Sequence, residues 1–241
     1  MTSDTMDAFF KLHSDLPREG PGEPADIAWA AALAGLKSAA QMADVGCGPG
    51  GDIAALLTAA PEGHVTALDK TAHFVDAARE NWRGDGRVTV LKADMAAIMN
   101  SYDMIWCAGA VYFLGVTKAL TAWRKPLNTD GVVVFSEACW FTDTPSDRAK
   151  TLWNREYPDM TDEAGIAAQV AAAGYEVLGT RRLADAAWEA YFAPLEARMR
   201  ILRPGADTAL EAVLDETEEE IACWRAHRKE YGYLLSVVRP L

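Results

Sequence analysis

Basic residues are in short supply in this chain: across 241 residues, 23 lysines and arginines face 35 aspartates and glutamates, a formal net charge of −12. No lysine- or arginine-rich run stands out that would neutralise successive phosphates, so the composition argues against a nucleic-acid partner. Cysteine is scarcer still. Cys47, Cys107, Cys139 and Cys223 lie far apart without a C-x-x-C pair, which points to reduced thiols rather than a zinc site or a disulfide framework. The histidines, His13, His64, His73 and His227, are as scattered, and none has a ligand partner at helical spacing, so no metal is expected. No apolar stretch approaches the roughly 20 residues needed to span a bilayer, and MTSDTMDAFFKLHSD has neither the basic start nor the apolar run of a signal peptide. The expectation is a cytoplasmic protein with no membrane partner. Its oligomeric state is left open, a homodimer included.

What is present is a core-forming chain, 50% hydrophobic, of a length that suits one α/β domain with additions. From residue 41 onward short apolar runs alternate with amphipathic stretches, the rhythm of a parallel sheet with crossover helices. Strands are expected at 41–45, 64–68, 88–92, 102–107 and 131–136, with helices at 50–59, 71–82 and 116–127. The second helix would place Phe74, Ala77, Ala78 and Trp82 on one face. Two further strands, 175–182 and 232–238, are separated by a largely helical insertion in which Pro194, Pro204 and Gly205 read as breaks. Within it, Glu216, Glu218, Glu219 and Glu220 read as a solvated helix face. Ahead of the sheet, a proline- and glycine-rich turn leads into a helix over 25–37.

The most informative segment is ADVGCGPGGDIAAL, residues 43–56. It reads as a buried strand, a tight glycine turn and the start of a helix, the arrangement that holds a nucleotide-like cofactor at a strand end. Gly46, Gly48 and Gly51 formally match G-x-G-x-x-G, which an NAD(P)-dependent Rossmann oxidoreductase would also satisfy. Asp44, however, stands two residues before the first glycine, where a dehydrogenase strand stays apolar, and Pro49 stiffens the turn. Asp69 ends the second strand, placed to accept hydrogen bonds from ribose hydroxyls. Asp94 lies just past the third. Each acid alone would serve as a turn or cap residue; three at successive strand ends beside a glycine turn are more specific.

The D-x-G-C-G-P-G turn with these acids resembles the class I S-adenosylmethionine-dependent methyltransferases. The blocks at 16–22, 136–143, 191–194 and 231–233 are similar to a subgroup of bacterial small-molecule methyltransferases with no settled substrate. The resemblance implies a Rossmann-like, doubly wound seven-stranded sheet, mostly parallel with an antiparallel last strand. It would comprise an N-terminal helical cap segment (1–40), a cofactor core (41–182), a helical insertion (183–231) and the last core strand (232–241). It further implies S-adenosyl-L-methionine as cofactor and S-adenosyl-L-homocysteine as product. Gly46, Cys47 and Gly48 would meet the methionine part, with Asp44 beside them. Asp69 would grip the ribose, and Ala93, Asp94 and Met95 would flank the adenine, Asp94 bonding its exocyclic amine. Lys70 stands where the family has an apolar residue, and its alkyl stem would cover the ring. Cys107, with Ala108 and Gly109, would lie near the sulfonium, and Arg18 would bind the cofactor carboxylate.

Methyl transfer by in-line displacement needs an aligned acceptor shielded from water. An acceptor that must lose a proton calls for a nearby base. Glu137, at the end of the fifth strand, is the foremost acid/base candidate, with Tyr112 second and His13 weaker. Aromatic residues of the added segments, among them Trp140, Trp153, Tyr157, Trp188 and Tyr191, would either pack the core or enclose a flat or cationic substrate. A small organic methyl acceptor follows as the partner. The alternatives are the oxidoreductase, which leaves Asp44 and Asp94 unexplained, and a non-catalytic S-adenosylmethionine-binding protein.

Overall fold

The computed structural model describes residues 3–241; Met1 and Thr2 of the amino-terminal segment lie outside them. Four of the five residues of β1 (Gln41–Val45) are buried, as a parallel strand covered on both faces requires. It pairs in parallel with β2 (His64–Asp69) on one side and β4 (Tyr102–Cys107) on the other. β3 (Val88–Lys92) continues the sheet beyond β2, and β5 (Leu127–Trp140) continues it beyond β4. On the far side β8 (Tyr231–Pro240) lies antiparallel between β5 and β7 (Tyr175–Arg182). The order β3-β2-β1-β4-β5-β8-β7 is the mostly parallel seven-stranded sheet implied by the sequence. A two-residue β6 (Thr161–Asp162) joins the end of β5 off that path. The chain steps outward from β1 to β3 and then returns to β4, so the switch point opens a crevice above the carboxyl ends of β1 and β4.

Helices cover both faces. α1 (Ser3–Leu12), α2 (Pro24–Ala34), α3 (Ile53–Ala59), α8 (Asp185–Leu202) and α9 (Thr208–His227) supply the core on one face. α5 (Val116–Trp123) and α7 (Glu163–Ala172) supply the other. α4 (Ala72–Asn81) packs on β2 and β3, and α6 (Asp147–Glu156) on α9. Local chemistry sets the helix ends. Pro24 opens α2, Asp26 accepts from the Glu23 N–H at 3.0 Å, and Gly35 closes the helix at φ +62°. Asp207 caps α9 by accepting from the Leu210 N–H at 2.9 Å.

Several elements differ from the sequence reading. α3 starts at Ile53 rather than residue 50, because Gly50 sits at φ +85° in the turn. α5 stops at Trp123, with Pro126 just ahead of a β5 that begins at Leu127. On α4 Ala78 of the expected face is buried, together with Val75, and Phe74, Ala77 and Trp82 are half-buried beside them. α8 runs straight through Pro194, since burial of Trp188, Phe192, Leu195 and Met199 outweighs one lost hydrogen bond; the real break is the 3-10 turn Arg203–Gly205. α1, α6 and α7 are additional helices, with apolar stripes too interrupted by alanine and charge to stand out. No helix among the described residues is long and apolar enough to cross a membrane.

Candidate active site

The glycine turn begins where β1 ends. The Gly46 and Cys47 N–H groups both donate to the Leu68 carbonyl, at 2.8 and 3.0 Å, which ties the turn to the end of β2. Gly46, Gly48 and Gly50 have φ of +72°, +53° and +85°, a region where other residues are strained. A Cβ on Gly46 would lie 2.6 Å from the Ala110 side chain, so the turn also seats against the segment following β4. The Asp69 carboxylate, at the tip of β2, accepts from the Gly48 N–H at 3.1 Å and from the Thr71 N–H at 2.7 Å. Two backbone donors thereby fix its orientation beside the turn.

Behind the turn lies a cluster that the sequence disclosed only in part. Asp44 is 3% exposed, and its Oδ2 has no hydrogen-bond partner. Burial, reinforced by Asp52 and opposed by Arg18, holds its carboxyl well above the usual range. Asp52, just ahead of α3, accepts from the Trp106 indole at 2.9 Å and pairs with Arg18 at 3.2 Å. Arg18 also donates to the Gly20 carbonyl at 2.5 Å. The amino-terminal segment is thus pinned onto the glycine turn, and Gly51 takes part: a Cβ there would sit 2.6 Å from the Pro17 carbonyl oxygen. Glu19 adds a second clasp by bonding His13 at 2.5 Å, with its Cγ 3.3 Å from where a Gly48 Cβ would be. Asp52, Trp106 and Glu19 were not singled out from sequence. Asp52 alone carried a signal, sitting within the glycine motif directly before a helix.

The third acid stands apart. Asp94 is exposed and accepts from the Ala96 N–H at 2.8 Å, a turn of its own at the end of β3. Its neighbours face inward: Ala93 N–H donates to the Asp69 carbonyl at 3.0 Å, and the Met95 carbonyl accepts from the Trp123 indole at 2.7 Å. Lys70 is exposed, with its ammonium 5.0 Å from the Phe113 ring centre.

A separate group gathers at the carboxyl end of β5. Glu137 is 3% exposed, and neither oxygen meets hydrogen-bond geometry with a protein partner. Burial pushes its pKa up to about 7, with the nearby Tyr157 hydroxyl opposing. Cys107 is fully buried; burial raises its thiol, and both Asp44 and Glu137 add to the effect, so it marks where the two acidic groups meet. Gly109, at φ +64°, donates to Ser136 Oγ at 2.8 Å and holds the turn after β4 against β5. Tyr112 lies partly exposed with its ring 5.8 Å from that of Tyr157; burial, Glu137 and Glu220 push its hydroxyl up to about 12. Glu220 departs in part from the expected solvated face: Glu216, Glu218 and Glu219 are exposed, but Glu220 is half-buried, and loss of solvent pushes it up to about 7. Trp188, Phe192 and Trp224 pack as core, the two indoles stacked at 5.0 Å. Among the described residues no group of three or more His, Cys, Asp or Glu side chains is arranged to hold a metal.

Residues 42–131, from β1 into the start of β5, match the family model for a methyltransferase domain. That segment is a methyltransferase domain, and the chain as a whole has the fold of S-adenosylmethionine-dependent methyltransferases. Its whole length is similar to an S-adenosylmethionine-dependent methyltransferase from Geobacter sulfurreducens in complex with S-adenosyl-L-homocysteine, with a TM-score of 0.81, 21% identity and 98% of each chain covered. A counterpart from Thiobacillus denitrificans, also in complex with S-adenosyl-L-homocysteine, gives 0.79 at 22% identity over 97% of this chain and 98% of that one. The ribosomal RNA large subunit methyltransferase G of Pseudomonas putida (strain W619) is 36% identical over 90 residues, which are 35% of this chain and 24% of that protein. The chain therefore matches about a quarter of the length of this curated relative.

Proposed function

We propose that this protein transfers a methyl group from S-adenosyl-L-methionine to a small organic acceptor, leaving S-adenosyl-L-homocysteine. One observation carries the reading: the acids ending β1 and β2 flank the glycine turn, and the buried Asp44 keeps an unpartnered oxygen, which suits the amino group of the methionine part. The bound cofactor would supply an electrophilic methyl carbon on a sulfonium. In this reading the backbone of Gly46, Cys47 and Gly48 holds the methionine portion, and Arg18 its carboxylate. Asp69 holds the ribose. Asp94, Ala93, Met95 and the Lys70 stem border the adenine, and Cys107 lies beside the sulfonium. Glu137 serves as acid/base with Tyr112 assisting. Residues 1–40 and 183–231 form the cover over a core of 41–182 and 232–241.

The small-molecule acceptor is favoured over a nucleic acid by the net charge of −12. Cytoplasmic residence belongs to the same proposal, supported by four buried, unpaired thiols. Calorimetry with S-adenosylmethionine on the wild type and Asp69→Ala tests the cofactor half. Loss of the charged bidentate grip is expected to cost about 1.5–3 kcal/mol, and equal affinity in the two proteins contradicts the assignment. A labelled-methyl screen against a metabolite extract, with mass identification of the product, tests the acceptor half.

A further inference from the structure

We propose that Asp52 is a positioning residue of the cofactor site: by holding the Arg18 guanidinium it keeps the free oxygen of Asp44 open for the ammonium of the methionine part. This rests on the methyltransferase reading and adds to it a residue that acts only through its neighbours. Three segments meet at Asp52. Its carboxylate accepts from the Trp106 indole of β4 at 2.9 Å and pairs with Arg18 of the amino-terminal segment at 3.2 Å, while its own backbone belongs to the glycine turn. Helix capping does not account for it, because Asp52 stands directly ahead of α3 yet its side chain makes no capping hydrogen bond.

The strand register joins this group to Asp44. Asp44 on β1 and Trp106 on β4 are partners in the parallel pairing, so their side chains leave the sheet on the same face. The buried acid with a free oxygen therefore lies next to the indole that anchors Asp52. A guanidinium near such an acid ordinarily pairs with it. Arg18 is close enough to favour the charged form of Asp44, yet its ion pair is with Asp52.

The backbone around Arg18 has little freedom. The Pro17 carbonyl oxygen would be 2.6 Å from a Cβ on Gly51, and the Gly22 N–H donates to the Ala187 carbonyl at 3.2 Å. The side chain alone can choose between the two acids. Held by Asp52 and by the Gly20 carbonyl, it keeps further N–H donors for the cofactor carboxylate. Released from Asp52, it would close on Asp44 and take the oxygen that the ammonium needs.

The test is calorimetry with S-adenosylhomocysteine on the full chain, in a cycle of wild type, Asp52→Asn, Arg18→Gln and the double variant. Asparagine keeps the size of the side chain and an acceptor for the indole but loses the charge that holds Arg18. Asp52→Asn is expected to weaken binding about tenfold in the wild-type background and by less than about twofold once Arg18 is glutamine. A role in packing, through Trp106 or α3, would cost the same in both backgrounds. Equal losses in the two backgrounds, or equal or tighter binding by Asp52→Asn, overturns the inference and leaves the methyltransferase reading in place. Absence of binding to the wild type overturns the reading and the inference with it. Should Asp52→Asn fail to fold, Asp52→Ser, which also removes the charge and suits a position ahead of a helix, completes the same cycle with the same expected outcomes.

Discussion

Glu137 keeps a proton that an ordinary glutamate gives up, because its site at the end of β5 penalises the charged form and moves its pKa from 4.5 to about 7. Between those values the unfolded chain releases the proton while the folded chain retains it, so this residue favours folding below pH 4.5 and loses that contribution as pH rises through about 7. Glu137→Gln should therefore leave the thermal midpoint near wild type at pH 4.5 and raise it at pH 8, by a stability difference on the order of 3 kcal/mol. Melts at the two pH values check this, and a variant less stable than wild type at pH 8 would refute it. Once an acceptor is in hand, the same substitution should slow transfer by about 10²-fold or more. An unchanged rate would remove the residue from acid/base duty.

At the scale of elements, the junction of β1, the glycine turn and α3 carries the tightest geometric demands. Gly46→Ala would place a methyl group at φ +72° and 2.6 Å from the Ala110 Cβ. A cost of about 2–4 kcal/mol is expected from strain and overpacking together. Urea denaturation measures it, and Ala110→Gly in the same chain should recover the part due to crowding. This junction was also the most legible in the sequence, because positive-φ glycines and an acid at a strand end leave a pattern that tertiary context cannot supply. β1, β3 and β4 match their expected bounds: β1 and β4 are largely buried, whereas β3 is an edge strand with no buried residue, marked by its β-branched residues. Glu220 was not legible. Nothing local separates it from Glu216, Glu218 and Glu219; only the packing of α9 against α1, α6 and β8 decides which glutamate is half-buried. Asp52 and Trp106 were missed for a similar reason, their bond joining residues 54 positions apart.

For the molecule as a whole, the net charge of −12 and the lack of a basic run support the proposed small-molecule acceptor over RNA. A fluorescently labelled ribosomal RNA fragment should show no polarisation change with the protein at roughly 100 mM salt, a level at which nucleic-acid binders retain measurable non-specific affinity. Saturable binding there would reopen the acceptor question.

Placement of β8 between β5 and β7 bears on how the protein is made. β7 meets the sheet solely through β8, yet the ribosome delivers it before residues 183–230 and the strand that must join it. At about 5–20 residues per second, a nascent β7 waits roughly 3 to 10 seconds with both hydrogen-bonding borders bare. During that interval the growing polypeptide presents an open template for adhesion, and holdase chaperones should find their grip there.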